Sequence, residues 1–304
     1  MVTAMGELVW KAPEINDIEW IRKLTESSRS IGSDTSYVNI FLLRHKYDIE
    51  ICFYKTFLLR RYNGKAGRAG YGYPIGNGDI REALKILEKD ALSRGEKLMF
   101  CLLDERQKEI IEKEYSGMMS FESYAGNSDY IYNQQELALL KGNKYHKKKN
   151  HVSRFERKFS DFRLELIDEI NKYDAVNVAK MWYMERMDKS TMQKSAEFAA
   201  ISESVEYFDK LNLSGAILYV NENPVAMTMA SAINGKACDI HFEKAIGGYA
   251  DNGAYAAINQ KFARCLDEYE YINREEDIGI EGLRKAKMSY HPVILLKKYT
   301  GIKI

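Results

Sequence analysis

The chain has 304 residues, 45% of them apolar and 12% aromatic, with 45 basic side chains against 44 acidic ones. That length supports two ordinary domains with real cores, and the charge balance excludes a general polyanion coat, so any anion binding must come from local clustering. Only four Pro argue against disordered linkers, and Cys52, Cys101, Cys238 and Cys265 stand far apart without a CxxC pair, which favours buried reduced thiols over disulfides or a metal site.

In chain order, the opening MVTAMGELVWKAPEIN lacks a basic region followed by an apolar core and is not read as a signal peptide. Residues 16–28 and 35–46 read as helices, and DIEICFYKTFLLRRY and GYGYPIG as three strands. A helix (DIREALKILEKDALSRG), a buried strand (KLMFCLL), a helix (DERQKEIIEKEYSG) and a strand (SDYIYN) follow. The second half repeats that order. After helices near 174–187 and 195–210 come SGAILYV, VAMTMASAI and ACDIHFEKA, then a helix at 253–268, the strand YEYIN, a helix near 280–289 and a last strand, HPVILLKKY. The fold class expected is α/β with mixed sheets, a tandem duplication with domains over 1–142 and 143–304 and a cleft between them as the ligand site. No apolar run approaches the ~20 residues that span a bilayer, so a cytoplasmic location is expected.

KGNKYHKKKNHVSRFERKF, residues 141–159, carries eight Lys/Arg and two His against Glu156 alone. Read as a helix over 144–159, it sorts into two stripes. Tyr145, Val152, Phe155 and Phe159 form one that can dock on a core. Lys144, Lys147, His151, Arg154 and Lys158 form another that is wholly cationic, with Lys148 beside it. Like charges at this spacing cost a helix roughly 0.2–0.5 kcal/mol per pair. A solvated face is the ordinary reading of a charge run. The single sign and the apolar stripe opposite favour an anion track, with lysines as point charges for phosphate and Arg as a bidentate partner.

Two more clusters draw attention. In ACDIHFEKA, alternation puts Asp239, His241 and Glu243 on one face, which suits either an open sheet edge or a face that meets a ligand. In YINREEDIGIEGLRKAKMSYHP, Asn273, Arg274, Glu275, Glu276 and Asp277 leave the end of a strand, a frequent place for functional groups in α/β folds. Glu243, Glu276 or Asp277 would serve as base, with His241 the alternative; Arg274, Arg284 and Lys287 would hold donor phosphates. RYNGKA (61–66) matches an R-x-x-G-x-A pyrophosphate cradle but lies between strands, without the helix N-terminus that chemistry uses. KAIGGYADNG does join strand to helix, yet has Ala245 where Arg or Gln is needed.

On SDYIYN…LALLKGNKYHKKKNHVSRF and HFEKA…YINREEDIGIEGLRKAKMSYHP the chain resembles a bacterial family of unknown function related to the C-terminal domain of phosphatidylglycerol lysyltransferases. The resemblance covers nearly the whole chain. It implies a tandem GNAT-like acyltransferase fold, similar to the aminoacyltransferases that extend peptidoglycan bridges from aminoacyl-tRNA. It picks out Lys141, Gly142, Tyr145, His146, Lys148, Asn150, His151 and Phe155 in the first block. In the second it picks out His241, Glu243, Lys244, Asn273, Arg274, Glu275, Asp277, Gly279, Gly282, Leu283, Arg284, Lys287 and Tyr290. The activity implied is acyl or aminoacyl transfer from aminoacyl-tRNA or an acyl-CoA-like carrier to a small-molecule, peptide or lipid head-group acceptor. No permanent cofactor and no metal are expected. The alternative is a non-catalytic RNA- or phosphate-binding module on the same fold.

Overall fold

The computed structural model describes residues 7–25 and 28–304, so the start of the N-terminal stretch and the end of the helix expected over 16–28 lie outside the described residues. Among the described residues, fourteen strands form two sheets of seven. The first contains β1 (Ile49–Tyr54), β2 (Phe57–Asn63), β3 (Ala69–Tyr71), β4 (Ile75–Gly76), β5 (Met99–Leu103) and β6 (Met119–Ser123). The second contains β7 (Asp129–Asn133), β8 (Phe162–Leu166), β9 (Ser214–Val220), β10 (Asn223–Ala232), β11 (Ala237–Ala245), β12 (Tyr271–Asn273) and β13 (Ile294–Leu296). The last strand, β14 (Tyr299–Lys303), returns to the first sheet.

The two sheets share a pattern. In the first the order is β1-β2-β3-β5-β14-β6, antiparallel except for β3 and β5, which run parallel and pair at Tyr71 and Phe100. In the second the order is β13-β7-β12-β11-β10-β9-β8, and here β11 and β12 run parallel, meeting at Ala237–Tyr271, Cys238–Ile272 and Asp239–Asn273. Beyond those residues β12 ends and β11 runs on to Ala245, so the space beside β11 is left for side chains.

HPVILLKKY, expected as one strand, is split between the two sheets. β13 lies beside β7, and β14 enters between β5 and β6. Two compact units result. One holds residues up to 129 with 276–281 and 295–304; the other holds 130–275 and 282–294. In place of one division at 142/143, the chain crosses at 129/130, 275/276, 281/282 and 294/295. The reason is hydrogen bonding. Tyr132 and Ile131 of β7 pair with Ile272 and Asn273, while Gly301 and Ile302 pair across both β5 and β6.

Local chemistry sets the helix starts. Asp79 accepts the Arg81 N–H ahead of the helix Ile80–Ser93, and Asp104 forms a capping box with Gln107 ahead of Glu105–Tyr115. These helices bury Leu84, Leu87 and Ile111 against Leu59, Phe100 and Leu103 of the first sheet. In the second unit Tyr132, Cys238, Ile240 and Ile272 pack with Phe262, Leu266 and Tyr290. β11 is a central strand, buried along almost all its length. The open-edge explanation for its ionisable residues therefore falls away.

Candidate active site in the second unit

The basic segment forms the helix His146–Lys158, entered by a 3-10 turn over Asn143–Tyr145. Its apolar stripe is buried as its spacing requires: Tyr145, Val152 and Phe155 are inside, and Phe155 packs on Phe159 and Phe162. The helix lies against Gly253 at the start of the helix Ala254–Ala263. A Cβ there would sit 2.3 Å from the His151 carbonyl, and the φ of +104° also favours glycine.

The cations of this helix have divergent fates. Lys144 is paired with Glu136 at 2.8 Å, which also accepts from Tyr145 and is held below the usual carboxylate range by these partners. Arg154 donates to the Asp251 carbonyl at 2.8 Å and lies 3.1 Å from His151 Nδ1. Burial, Arg154 and Lys148 all disfavour a charge on His151 and lower its pKa. Lys147 and Lys149 are exposed and, among the described residues, without an ion pair. Lys148 differs from them all. It is half-buried, its Nζ stands 3.9 Å from the centre of the Tyr290 ring, and no carboxylate among the described residues holds it. Burial, with Arg274 nearby, brings its pKa down to about 8 despite the pull of Glu243.

Arg274 leaves the end of β12 and spans the space beside β11 to reach Glu243, Nη2 to Oε1 at 2.8 Å. Its guanidinium lies 5.0 Å from the Tyr290 ring and 5.8 Å from that of Tyr132, two buried phenols whose pKa values burial pushes up. The other Glu243 oxygen accepts from Asn259 Nδ2 at 3.2 Å. Two polar atoms of this group are fully buried and, among the described residues, have no hydrogen-bond partner: Arg274 Nη1, a donor, and Asn259 Oδ1, an acceptor. A buried donor or acceptor left unmade costs about 1–3 kcal/mol. One donor and one acceptor, both on side chains bound to the carboxylate of Glu243, are thus left without a hydrogen-bond partner among the described residues.

The remaining expected site residues serve other ends. Lys244 points away from Glu243, as strand alternation demands, pairs with Glu197 at 2.9 Å and lies 4.2 Å from the Trp182 ring. Lys287 is buried and donates to the backbone carbonyls of Arg274 at 2.6 Å and Glu275 at 3.1 Å; it positions the loop that carries Arg274. Asn273 is fully buried and accepts the Glu275 N–H at 2.7 Å. Arg284 is half-buried on the helix Glu281–Met288. His241 is buried, with Nε2 2.8 Å from Ser231 Oγ. Glu276 and Asp277 belong to the first unit. There Glu276 is paired with Arg68 at 2.5 Å; burial opposes its charge, but Arg68 and Lys298 outweigh that and lower its pKa. Asp277 is fully buried and accepts the Gly279 N–H at 2.8 Å. Neither carboxylate is placed as an accessible base.

Two members of the group carry no signal in the sequence. AYAAINQKFA reads as an ordinary helix, and nothing in it marks the amide of Asn259. Tyr132 is equally unmarked within SDYIYN.

The first unit has its own charged interior. Lys298 is buried between Asp129 at 2.7 Å and Asp34 at 2.8 Å, and Asp129 also accepts the Ser33 N–H at 2.7 Å. A hollow of about 220 Å³ there is lined by Arg68, Cys101 and Lys298, among others. Both of its cations are already neutralised by carboxylates, unlike Lys148.

Residues 25–301 match the family model described as phosphatidylglycerol lysyltransferase, C-terminal. The chain belongs to that family. A crystal structure of a conserved protein of unknown function from Bacteroides thetaiotaomicron shares 32% identity with this family member, covers 98% of this chain and 100% of its own, and superposes with a TM-score of 0.90. The structure of L-PGS from Bacillus licheniformis shares 15% identity over 99% of this chain and 94% of its own, with a TM-score of 0.65, which establishes a common fold. An uncharacterized protein of Mycoplasmoides gallisepticum is 22% identical over 179 residues, 58% of this chain and 56% of that protein, so the match spans little more than half of that relative. The mixed α/β fold is thus the one shared with these structures, and no helix among the described residues is long and apolar enough to cross a membrane.

Proposed function

We propose that the chain is an aminoacyltransferase whose reacting centre is the group formed by Lys148, Arg274, Glu243, Asn259 and Tyr290. The observation that carries this reading is the buried pair of unsatisfied atoms, Arg274 Nη1 and Asn259 Oδ1. An aminoacyl ester offers a carbonyl oxygen for the donor and an α-ammonium for the acceptor. A plain acyl thioester offers only the first.

In this reading the donor is an aminoacyl-tRNA end whose phosphates lie along Lys147, Arg154 and the rest of the basic helix. The acceptor amine or hydroxyl attacks the ester carbonyl, the new C–N or C–O bond forms, and the ribose oxygen leaves as a hydroxyl. Arg274 Nη1 stabilises the oxyanion, where a positioned donor contributes on the order of 3–4 kcal/mol. Lys148 takes the proton from the acceptor, since its lowered pKa leaves a minority of its amine neutral at pH 7, far more than an ordinary lysine has. Glu243 is a positioning residue, with both oxygens already engaged by Arg274 and Asn259.

The test is to incubate the full chain with a pool of aminoacyl-tRNAs labelled in the amino acid, or with labelled acetyl-CoA, and a panel of amine and hydroxyl acceptors. Label moving from tRNA to an acceptor supports the reading. Movement from acetyl-CoA alone replaces it with acetylation. Binding of tRNA without turnover leaves the RNA-binding alternative, which the exposed Lys147 and Lys149 favour.

A further inference from the structure

Next to this centre, but not part of it, three side chains of the second unit converge. Asp239 and His241 come from β11, and Glu275 from the turn after β12. His241 Nδ1 stands 3.5 Å from Asp239 Oδ2 and 3.8 Å from Glu275 Oε1, and one donor atom from each residue lies within 4.8 Å of the other two. A four-coordinate ion with bonds of about 2.0–2.2 Å to nitrogen and oxygen holds neighbouring ligand atoms about 3.4 Å apart, so the two distances from Nδ1 are within a few tenths of an ångström of that spacing, and the carboxylates close on the ion by side-chain rotation.

Three features of the backbone and its surroundings favour an ion over a simple charge cluster. The first is the other ring nitrogen. Nε2 is 2.8 Å from Ser231 Oγ, so the hydroxyl can accept the Nε2 proton and leave the Nδ1 lone pair facing the two carboxylates, the outer-shell arrangement of metal-ligating histidines. The second is a break in strand register. Met229 faces Phe242 and Ala230 faces Ile240, so the ladder with β10 steps over His241 and a bulge turns it. The third is Glu275, which holds a left-handed φ of +56°. A non-glycine residue pays about 1–2 kcal/mol for that conformation. Asn273 Oδ1 on its N–H and Lys287 Nζ on its carbonyl keep it there. Strain held by hydrogen bonds on both backbone groups, the Tyr130 N–H on the carbonyl among them, at a residue whose carboxylate meets a histidine, points to a functional position.

We propose that Asp239, His241 and Glu275 bind a divalent first-row transition ion such as zinc, with Ser231 fixing the imidazole tautomer. One nitrogen and two carboxylate oxygens suit such an ion, and Glu275, whose side chain is 26% exposed, provides the entry side and the open coordination position. The ion ties β11 to the turn after β12 and holds the backbone from which the neighbouring Arg274 extends. The site does not rest on the aminoacyl-transfer reading, and neither stands or falls with the other.

The experiment uses the untagged full chain, stripped with a chelator and dialysed. Zinc chloride is titrated by calorimetry, and cobalt(II) is added as a spectroscopic probe. A single saturable site is expected, with visible cobalt bands of a low-coordinate centre and a rise in melting temperature on loading. Glu275→Gln, at the exposed edge, should weaken binding at least tenfold with an unchanged far-ultraviolet spectrum, and Ser231→Ala should weaken it roughly 10–100-fold. The proposal is overturned if the wild-type chain takes up no ion, which would make the trio a buried ion pair of imidazolium and carboxylates. It is also overturned if Glu275→Gln and His241→Asn bind zinc as the wild type does.

Discussion

Lys148 is the side chain in which sequence and structure meet least comfortably. In the sequence it is one lysine in a run of three, and its expected part was to hold phosphate. In the fold it is the one turned inward, over Tyr290 and near Arg274, with its pKa brought down to about 8. A lysine whose folded pKa lies below its unfolded value near 10.5 binds its proton less well in the native state. Its charge therefore burdens the fold fully below pH 8, and the burden is lost as pH rises from about 8 to 10.5. Lys148→Met should melt higher than wild type at pH 7, and the gap should narrow above pH 10 in thermal scans; a gap that does not change with pH would show that Lys148 is ordinarily solvated. The opposite holds for Lys298. It is buried between two carboxylates, so Lys298→Met strands Asp129 and Asp34, and urea denaturation should register a loss of about 3–5 kcal/mol. KKY in the sequence offers no hint of that burial, because two adjacent lysines ordinarily face water and only the chain's passage back to the first sheet encloses the second of them.

At the scale of elements, the basic helix was legible and its use was not. The step between Tyr145, Val152 and Phe155 sets which face is buried, and the fold keeps it. Which cations remain available depends on partners far off in sequence: Glu136 for Lys144 and the Asp251 carbonyl for Arg154. Exposed and without an ion pair among the described residues are Lys147 and Lys149, with Lys141 and Lys158 at the two ends of the segment. The double variant Lys147→Glu/Lys149→Glu should therefore lower tRNA affinity and flatten its salt dependence, by about 0.7–0.9 in log–log slope for each phosphate no longer neutralised. Equal slopes for variant and wild type in filter-binding titrations would remove this helix from the tRNA track. Strands β9 and β10 could be read because they are buried and mostly apolar, and β11 because its residues alternate. β6 and β8 could not. Both lie at sheet edges, β6 largely exposed and β8 half-buried along most of its length, so burial imposes little pattern on MSFES or FRLEL.

For the whole molecule, the repeat of three strands, helix, strand, helix, strand was visible, and each sheet contains a parallel pair, β3 with β5 and β11 with β12. The exchange of strands was hidden, since no local pattern in SDYIYN or HPVILLKKY says which sheet a strand will join; pairing is decided by non-local hydrogen bonds. β14 fills the gap between β5 and β6, so deleting residues 299–304 should strip hydrogen-exchange protection from Met99–Leu103, and protection that survives there would contradict a central role for that strand. The same non-locality explains the site. Arg274, Asn259, Glu243 and Lys148 lie on β12's end, two helices and β11, and only the fold puts Asn259 beside the pair that the sequence singled out. The decisive comparison is between two stable adenosine analogues, one with a 3′-aminoacylamide and one with the same chain lacking the α-amine, titrated into the wild-type chain and into Asn259→Ala. The wild type should bind the aminoacyl analogue at least tenfold tighter, and Asn259→Ala should bind the two alike. Equal binding by the wild type, or a preference that outlives the loss of Asn259, would contradict the assignment of this site to an aminoacyl group.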